Sequence, residues 1–256
     1  MGLAAKDGTR RLGFVARLVI ATTLPHSEPA APEFTRTNGL YDLRLLAPRQ
    51  VGLPYGRYPR LALAWMSTEA VRRKTPLLPL APTFSRFASQ IGITPSTGGK
   101  GTLARLRDQL LRLVHLTVGG VQLIERSRLW WDQPASGDPE PFLLLSPDFY
   151  AEILAHPVPV DLDVVRALRS PLEMDVYMWL TYRSVRACRI GRPETIPWEA
   201  LQRQFGAGYS KVRAFRFHLL QAIRNILPIY PEVRLRKTPA GLVLLPYPPH
   251  IPRASC

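Results

Sequence analysis

Apolar residues recur at spacings of three and four in two similar stretches of the chain, and this spacing predicts amphipathic helices. Pro and Gly residues stand at the predicted ends: Pro197 opens one short helix, Gly206 closes it, and Gly92 closes another. The pattern predicts helices over 59–74, 83–91, 102–114, 171–186, 197–205 and 210–226. Each half of the chain therefore has a helix, a short helix, a turn and a longer helix.

Segments typical of β-strands follow the longer helix of each half. Residues 232–237 and 242–245 flank a Thr-Pro-Ala-Gly turn and predict a β-hairpin. Residues 116–130 alternate, and they predict either a hairpin that turns at Gly119-Gly120 or a single strand, with a further strand at 142–146. Another hairpin is predicted over 34–46, where Asn38-Gly39 favours a tight turn.

Helix–turn–helix followed by a β-hairpin is the order of a winged helix, whose second helix can enter the DNA major groove. The turns of the two halves differ in length, so they share a pattern and are not a tandem repeat. We predict an α+β fold with two winged-helix domains in tandem, over 12–155 and 156–249, and mobile tails at 1–11 and 250–256. Because helix–turn–helix shapes also occur in domains that only pack against partners, the order alone leaves that alternative open.

The charge balance favours a polyanionic partner. The 256 residues include 34 Lys and Arg against 19 Asp and Glu, a formal net charge of +15. Nucleic acid is the first candidate and an anionic membrane the second. A membrane-surface protein would need exposed apolar faces opposite its basic ones, whereas these helices are predicted to bury their apolar faces in a core. We therefore expect double-stranded DNA as the partner and no membrane.

The helix predicted over 210–226 is the stronger candidate for DNA recognition. With its apolar stripe inward, its outer face is basic, and no acidic residue occurs from Tyr209 to Pro231. Arg can bind guanine, Gln adenine, and an exposed Phe the thymine methyl group; for Phe217 a core or inter-domain contact is the alternative. The predicted DNA-binding residues here are Ser210, Lys211, Arg213, Arg216, Phe217, Gln221 and Arg224 on the helix and Arg234, Arg236 and Lys237 on the hairpin.

The earlier half is predicted to make accessory DNA contacts or to dimerise. Asp108 occupies the position equivalent to Phe217, where its carboxylate would repel phosphate. The predicted DNA-binding residues of this half are Lys100, Thr102, Arg105, Arg112, Arg126 and Arg128.

Catalytic motifs lack the spacing that their chemistry requires. Gly99-Lys100 has neither the earlier Gly nor the following Ser or Thr of a P-loop. Asp161 and Asp163 are candidates for a metal pair, but an apolar run follows them, which favours a helix N-cap. The two cysteines form no CxxC and the five histidines no HxH or HExxH. We expect a protein that is not an enzyme and that uses no metal, no cofactor and no small-molecule substrate.

The segment 12–24 has the apolar character of a signal peptide, but Arg17 interrupts it and no A-x-A site follows. We predict a core element there and no secretion.

Several stretches together resemble the plasmid-encoded RepA-type replication initiators, which are iteron-binding proteins. The resemblance runs from about residue 12 to about 246, and its most specific parts are the string GLPYG-PRL-AW-EA and the helix PLEMDVYMWLTYR. The stretches are LPHS (24–27), FTRTNGLYDL (34–43), GLPYGRYPRLALAWMSTEAVR (52–72), GGKGTLARLRDQLLRL (98–113), HPVPVDL (156–162), SPLEMDVYMWLTYR (170–183) and IPWEALQRQFG (196–206). The segment LPLAP (78–82) departs from the family pattern, because Pro82 shifts the start of the next helix.

This resemblance implies two winged-helix domains that bind directly repeated iterons in a plasmid origin. It also implies opening of an AT-rich segment, recruitment of the host replication initiator and replicative helicase, and a homodimer that represses its own promoter. The expected location is the bacterial cytoplasm, in association with the plasmid or nucleoid. A winged-helix transcriptional repressor without initiation activity is the alternative, since both proteins need the same recognition helix.

Overall fold

The structure is a computed structural model, and it describes residues 10–38, 41–132, 140–206 and 208–251. Helices and strands are mixed along these ranges. The helices are α1 (Arg17–Thr22), α2 (Arg57–Arg73), α3 (Phe84–Gln90), α4 (Thr102–Val114), α5 (Pro147–Ala155), α6 (Leu162–Ala167), α7 (Pro171–Ile190), α8 (Trp198–Phe205) and α9 (Val212–Ile226). The strands are β1 (Leu12–Ala16), β2 (Glu33–Asn38), β3 (Tyr41–Leu46), β4 (Leu77–Pro79), β5 (Thr117–Val118), β6 (Val121–Gln122), β7 (Ile124–Arg128), β8 (Phe142–Leu145), β9 (Pro157–Asp161), β10 (Glu194–Pro197), β11 (Leu235–Lys237) and β12 (Gly241–Leu244).

Two units share one element order and one sheet topology. The first unit consists of α2, β4, α3, α4 and the strands β7 and β8, and its sheet has the order β4-β8-β7. The second unit consists of α7, β10, α8, α9 and the strands β11 and β12, in the order β10-β12-β11. In each sheet the strand after the first helix pairs with the second strand of the hairpin, and all neighbours are antiparallel. The similarity seen in the hydrophobic pattern thus extends to strand order.

The helices predicted from periodicity are all present; the one predicted at 102–114 has the predicted ends, and the others have shifted ends. The helix predicted at 59–74 begins at Arg57, and the one predicted at 171–186 continues to Ile190. The helix predicted at 210–226 begins only at Val212, because Lys211 has an extended backbone. Ser210 and Lys211 therefore precede the helix, and our placement of them on it was wrong.

The sequence left open whether residues 116–130 form a hairpin or a single strand, and the structure has a hairpin followed by a separate strand. Gly119 and Gly120 have φ of +57° and +86°, values suited to glycine, and they turn a hairpin between β5 and β6. The strand β7 then follows and pairs with β8. The predicted hairpin over 34–46 is formed by β2 and β3, although residues 39–40 of its turn lie outside the described residues.

The N-terminal segment 12–24 belongs to the core, as predicted. Val15, Ala16 and Ile20 are buried in β1 and α1. The strand β1 pairs antiparallel with β9, so this strand pair crosses the boundary predicted between residues 155 and 156. Asp161 caps α6 as predicted, because its carboxylate accepts a hydrogen bond from the Asp163 N–H at 2.9 Å.

A buried ion pair joins the two units where α2 packs on α7. The Nε and Nη2 atoms of Arg60 each donate to one carboxylate oxygen of Asp175, both at 2.7 Å. Arg60 also donates to the carbonyl oxygens of Leu24 and Gly56, both at 2.6 Å. The His26 Nε2 atom lies 2.9 Å from the second Asp175 oxygen. The three family-like segments that hold these residues therefore meet at one buried junction, for which no role was predicted.

The described end of the chain packs against α7. His250 is 2% exposed, and its Nδ1 atom lies 2.9 Å from the Tyr177 hydroxyl. The next residue, Ile251, is also buried. Residues 250 and 251, assigned to a mobile tail by the sequence, are therefore part of the packed structure.

Acidification is expected to destabilise the fold through His26, which is half-buried, and His250, which is buried. Burial lowers the pKa of His26, as do the charges of Arg60 and Arg36, against the opposing effect of Asp175. Burial and the charge of Arg10 lower the pKa of His250. The unfolded chain, with ordinary values near 6.5, therefore binds more protons than the folded chain as the pH falls below that value. The contribution of the two histidines to stability is therefore fully present above pH 6.5 and decreases as the pH falls below that value.

Urea unfolding at pH 7.5 and 5.5 measures this effect. We expect a lower midpoint at pH 5.5 and a smaller difference in His26→Gln. The control is His115→Gln, which alters an exposed histidine at the end of α4. Equal midpoints at the two pH values would contradict the prediction.

Candidate nucleic-acid interface

The helix α9 has one buried face and one exposed face, as its apolar spacing predicts. Phe215, Leu219, Ile223 and Ile226 are buried against α7 and α8. The opposite face is open to solvent along the helix. Since no residue of α9 is acidic, the only charged side chains on this exposed face are cationic.

Contacts among α8, Tyr209 and α9 hold the two helices close together. The Gln202 side chain of α8 donates to the Tyr209 carbonyl oxygen at 3.0 Å. The Tyr209 ring packs on Phe215, with ring centres 5.9 Å apart. A Cβ at Gly206 would lie 2.9 Å from the Gln202 carbonyl oxygen and 2.8 Å from the Phe215 ring, so the close approach of α8 and α9 requires glycine there.

Most of the DNA-binding residues predicted on this helix are exposed. Phe217 is 62% exposed, so the alternative of a core contact for it is wrong. The Arg224 guanidinium donates to the Gln221 side chain at 3.0 Å, which orders the last turn of the exposed face. The predicted residues that are exposed here are Ser210, Lys211, Arg213, Phe217, Gln221 and Arg224.

Arg216 differs from its neighbours because it is half-buried. Its guanidinium lies over the Trp198 ring, 4.5 Å from the ring centre. The Trp198 indole N–H donates to the Thr238 carbonyl oxygen in the hairpin turn at 3.0 Å. Trp198 therefore contacts α9 through the Arg216 guanidinium and the hairpin through its indole N–H.

The hairpin of the second unit also presents cations. The strand β11 lies at the edge of its sheet, and Arg234, Arg236 and Lys237 are exposed on it or just before it. We define the basic surface as the exposed predicted residues of α9 and its entry together with these three hairpin residues. The cations of α9 and those of the hairpin thus belong to one unit, in which Trp198 contacts both elements.

The predicted residues of the first unit are more dispersed. Lys100, Arg105 and Arg126 are exposed, while Arg128 is half-buried on β7. The Thr102 hydroxyl donates to the Thr94 carbonyl oxygen at 2.8 Å and so closes the turn before α4.

Arg112 is occupied by internal contacts. Its guanidinium pairs with Asp108 at 3.0 Å and with Glu28 at 2.7 Å, and it lies over the Tyr55 ring. Two carboxylates thus offset its charge. Sequence reasoning missed this because Glu28 is remote from Arg112 in the chain, although the Asp108–Arg112 spacing of four was visible.

The fold is similar to that of domains 2 and 3 of RctB. A crystal structure of a selenomethionine derivative of these domains aligns with a TM-score of 0.53 at 11% identity, over 89% of this chain and 93% of that chain. A second structure of RctB domains 2–3 aligns with a TM-score of 0.52 at 12% identity, over 88% and 94%. At such identities the likeness establishes the fold alone.

The family is established by sequence. The family model of the plasmid-encoded RepA protein matches residues 53–200, from the segment before α2 into α8. The chain belongs to this family of RepA-type plasmid replication initiators, which confirms the resemblance found in the sequence. A comparison with curated proteins gives no match. Within the ranges that the structure describes, no helix is long and apolar enough to cross a bilayer.

Proposed function

We propose that this chain is a plasmid replication initiator that binds double-stranded DNA at repeated origin sites through the basic surface. The exposed face of α9, with two arginines, a glutamine and an exposed phenylalanine and without an acid, is the observation that carries the proposal. These side-chain types match the hydrogen-bonding and methyl groups at base edges in the major groove. The exposed cations of the hairpin are proposed to contact backbone phosphates.

The two units are proposed to be winged-helix domains. The support is the order helix, strand, helix, helix, hairpin in each unit, together with the central position of the second hairpin strand. In this assignment α9 is the recognition helix of the second domain and α4 that of the first. The first domain contributes accessory contacts or a dimer interface, since fewer of its predicted DNA-binding cations are exposed and Arg112 is paired.

The remaining steps follow from family membership. The chain is proposed to bind iterons, to promote opening of the origin, and to recruit the host initiator and replicative helicase in the bacterial cytoplasm. It carries out no catalysis in this account. A transcriptional repressor is the second candidate, because the same basic surface serves both. Replication of a plasmid that carries only the cognate origin, with this protein supplied, separates them.

Arg213→Ala tests whether α9 contacts bases. We expect specific binding to weaken by about 1–3 kcal/mol and specificity to relax at one base position. Binding is measured by fluorescence anisotropy on specific and random duplexes at one salt concentration. Arg49→Ala removes an exposed arginine outside both units and is expected to leave both affinities unchanged. An equal loss of affinity for both duplexes would instead indicate that Arg213 contacts a phosphate.

A further inference from the structure

A small cavity lies between α2, the end of α3 and α6, on elements that do not contribute to the basic surface. Its volume is about 40 Å³. A single water needs roughly 10–15 Å³, so a group of several atoms fits. Three arginines line it, namely Arg11, Arg72 and Arg166, and one carboxylate, that of Glu69.

The one carboxylate in the lining, and the carboxylate of Asp163 outside it, already have cationic partners. Glu69 pairs with Arg73 at 2.7 Å, with a spacing of four along α2. Asp163, at the start of α6, pairs with Arg166 at 3.3 Å and is itself well exposed. The positive charges of Arg11 and Arg72 therefore exceed the negative charge available to them from these two carboxylates.

Backbone contacts hold the arginine-bearing segments in place. The Arg72 guanidinium donates to the Leu12 carbonyl oxygen at 2.6 Å. The Arg11 carbonyl oxygen accepts from the Leu162 N–H at 2.9 Å, while the Arg11 side chain is exposed. Arg166 donates to the Gln90 carbonyl oxygen at the end of α3. The convergence of the three arginines is thus built into the packing of β1, α2, α3 and α6.

The three cations are close enough to repel one another. Burial, and then the charges of Arg11 and Arg72, lower the pKa of the Arg166 guanidinium, against the opposing effect of Asp163. An anion between these groups would relieve the repulsion.

An unused donor lies in the same lining. Trp65 is 7% exposed, and its indole N–H finds no acceptor among the residues that the structure describes. Buried donors are nearly always hydrogen-bonded, so the unpaired indole N–H of this lining residue is a candidate donor for a ligand of the cavity.

We propose that this cavity binds a phosphate group, with Arg11, Arg72 and Arg166 as its cationic partners and the Trp65 N–H as a further donor. Planar guanidinium groups match the oxygens of phosphate in pairs. The phosphate is either that of a free phosphate ion or monoester, or one of the DNA backbone. The site does not depend on the proposed function of the basic surface.

The Trp65 indole N–H gives a direct readout in ¹H–¹⁵N spectra of the full chain, with its resonance assigned by Trp65→Phe. Inorganic phosphate is titrated against chloride at matched ionic strength. We expect a saturable shift of this resonance with phosphate. Arg11→Gln should weaken binding about tenfold, equivalent to one charge-assisted contact; Arg72→Gln is the second test variant, and Arg49→Gln should bind as the parent does.

A duplex titration then separates the two sources. If a backbone phosphate occupies the site, duplex binding shifts the same resonance, and Arg11→Gln reduces the slope of log affinity against log salt by about 0.9. If free phosphate is the ligand, the duplex leaves the resonance in place and the slope is unchanged. The absence of a saturable shift with both probes would overturn the proposal. Phosphate binding that Arg11→Gln and Arg72→Gln leave at the strength of Arg49→Gln would also overturn it.

Discussion

Replacing Asp175 with Asn is expected to lower the free energy of unfolding by about 3–5 kcal/mol, because it leaves the Arg60 charge buried without its counter-charge. Arg60 is 1% exposed and Asp175 is 4% exposed, so solvent compensates neither. Burial opposes the charged carboxylate, but the charge and hydrogen bonds of Arg60 and the contact with His26 outweigh it and lower the pKa of Asp175. Urea unfolding monitored by tryptophan fluorescence measures the change.

Two comparisons separate the buried pair from an ordinary ion pair. Glu33→Gln removes a partner of the exposed pair between Glu33 and Arg44, and we expect it to cost less than about 1 kcal/mol. The double variant Arg60→Met with Asp175→Leu is expected to recover much of the loss, because it removes both buried charges. A loss for Asp175→Asn no larger than that for Glu33→Gln would show that the α2–α7 junction does not depend on this pair.

Salt is expected to weaken DNA binding steeply. If roughly 6–10 phosphates are neutralised, log affinity falls with log salt at a slope of about −5 to −9. Between 50 and 200 mM salt this amounts to a loss of about 10³–10⁵ in affinity. Anisotropy titrations across that range measure the slope on a specific duplex.

In our proposal the exposed cations of the hairpin contribute part of the slope of log affinity against log salt. The double variant Arg236→Gln with Lys237→Gln is expected to reduce its magnitude by about 1.8, since each phosphate contributes about 0.9. Arg49→Gln is the control that should leave it unchanged. A flat salt response of the parent protein would remove the electrostatic basis of the proposed binding.

Helices were predictable from the sequence because their apolar spacing is local. The buried face of α9 is the one that the positions of Phe215, Leu219 and Ile223 predict. The helix α5 was missed although its start carries clear signals: Ser146 caps it by accepting from the Phe149 N–H at 3.2 Å, and Pro147 is its first residue. That omission was an error of interpretation, since the residues themselves indicate a helix.

Other features depend on contacts between remote parts of the chain. The strand β4 has only three residues, and its partner β8 lies beyond α3, α4 and β7; short strands of this kind carry little periodic signal. The pairing of Arg60 with Asp175 requires two helices from different units to pack together. The candidate interface was predictable as a face of α9, whereas the stacking of Arg216 on Trp198 needed the packing of α8 against α9.

Selection of bound sites from a random duplex pool, by the full chain at about 0.15 M salt, tests the central claim that this protein recognises a DNA sequence through α9. We expect enrichment of one motif with two parts, one for each unit, and loss of preference at one position of it with Arg213→Ala. Direct repeats of the motif in a plasmid origin would favour the initiator, and one inverted pair over a promoter the repressor. Retention of DNA without enrichment of any motif would contradict sequence recognition by α9.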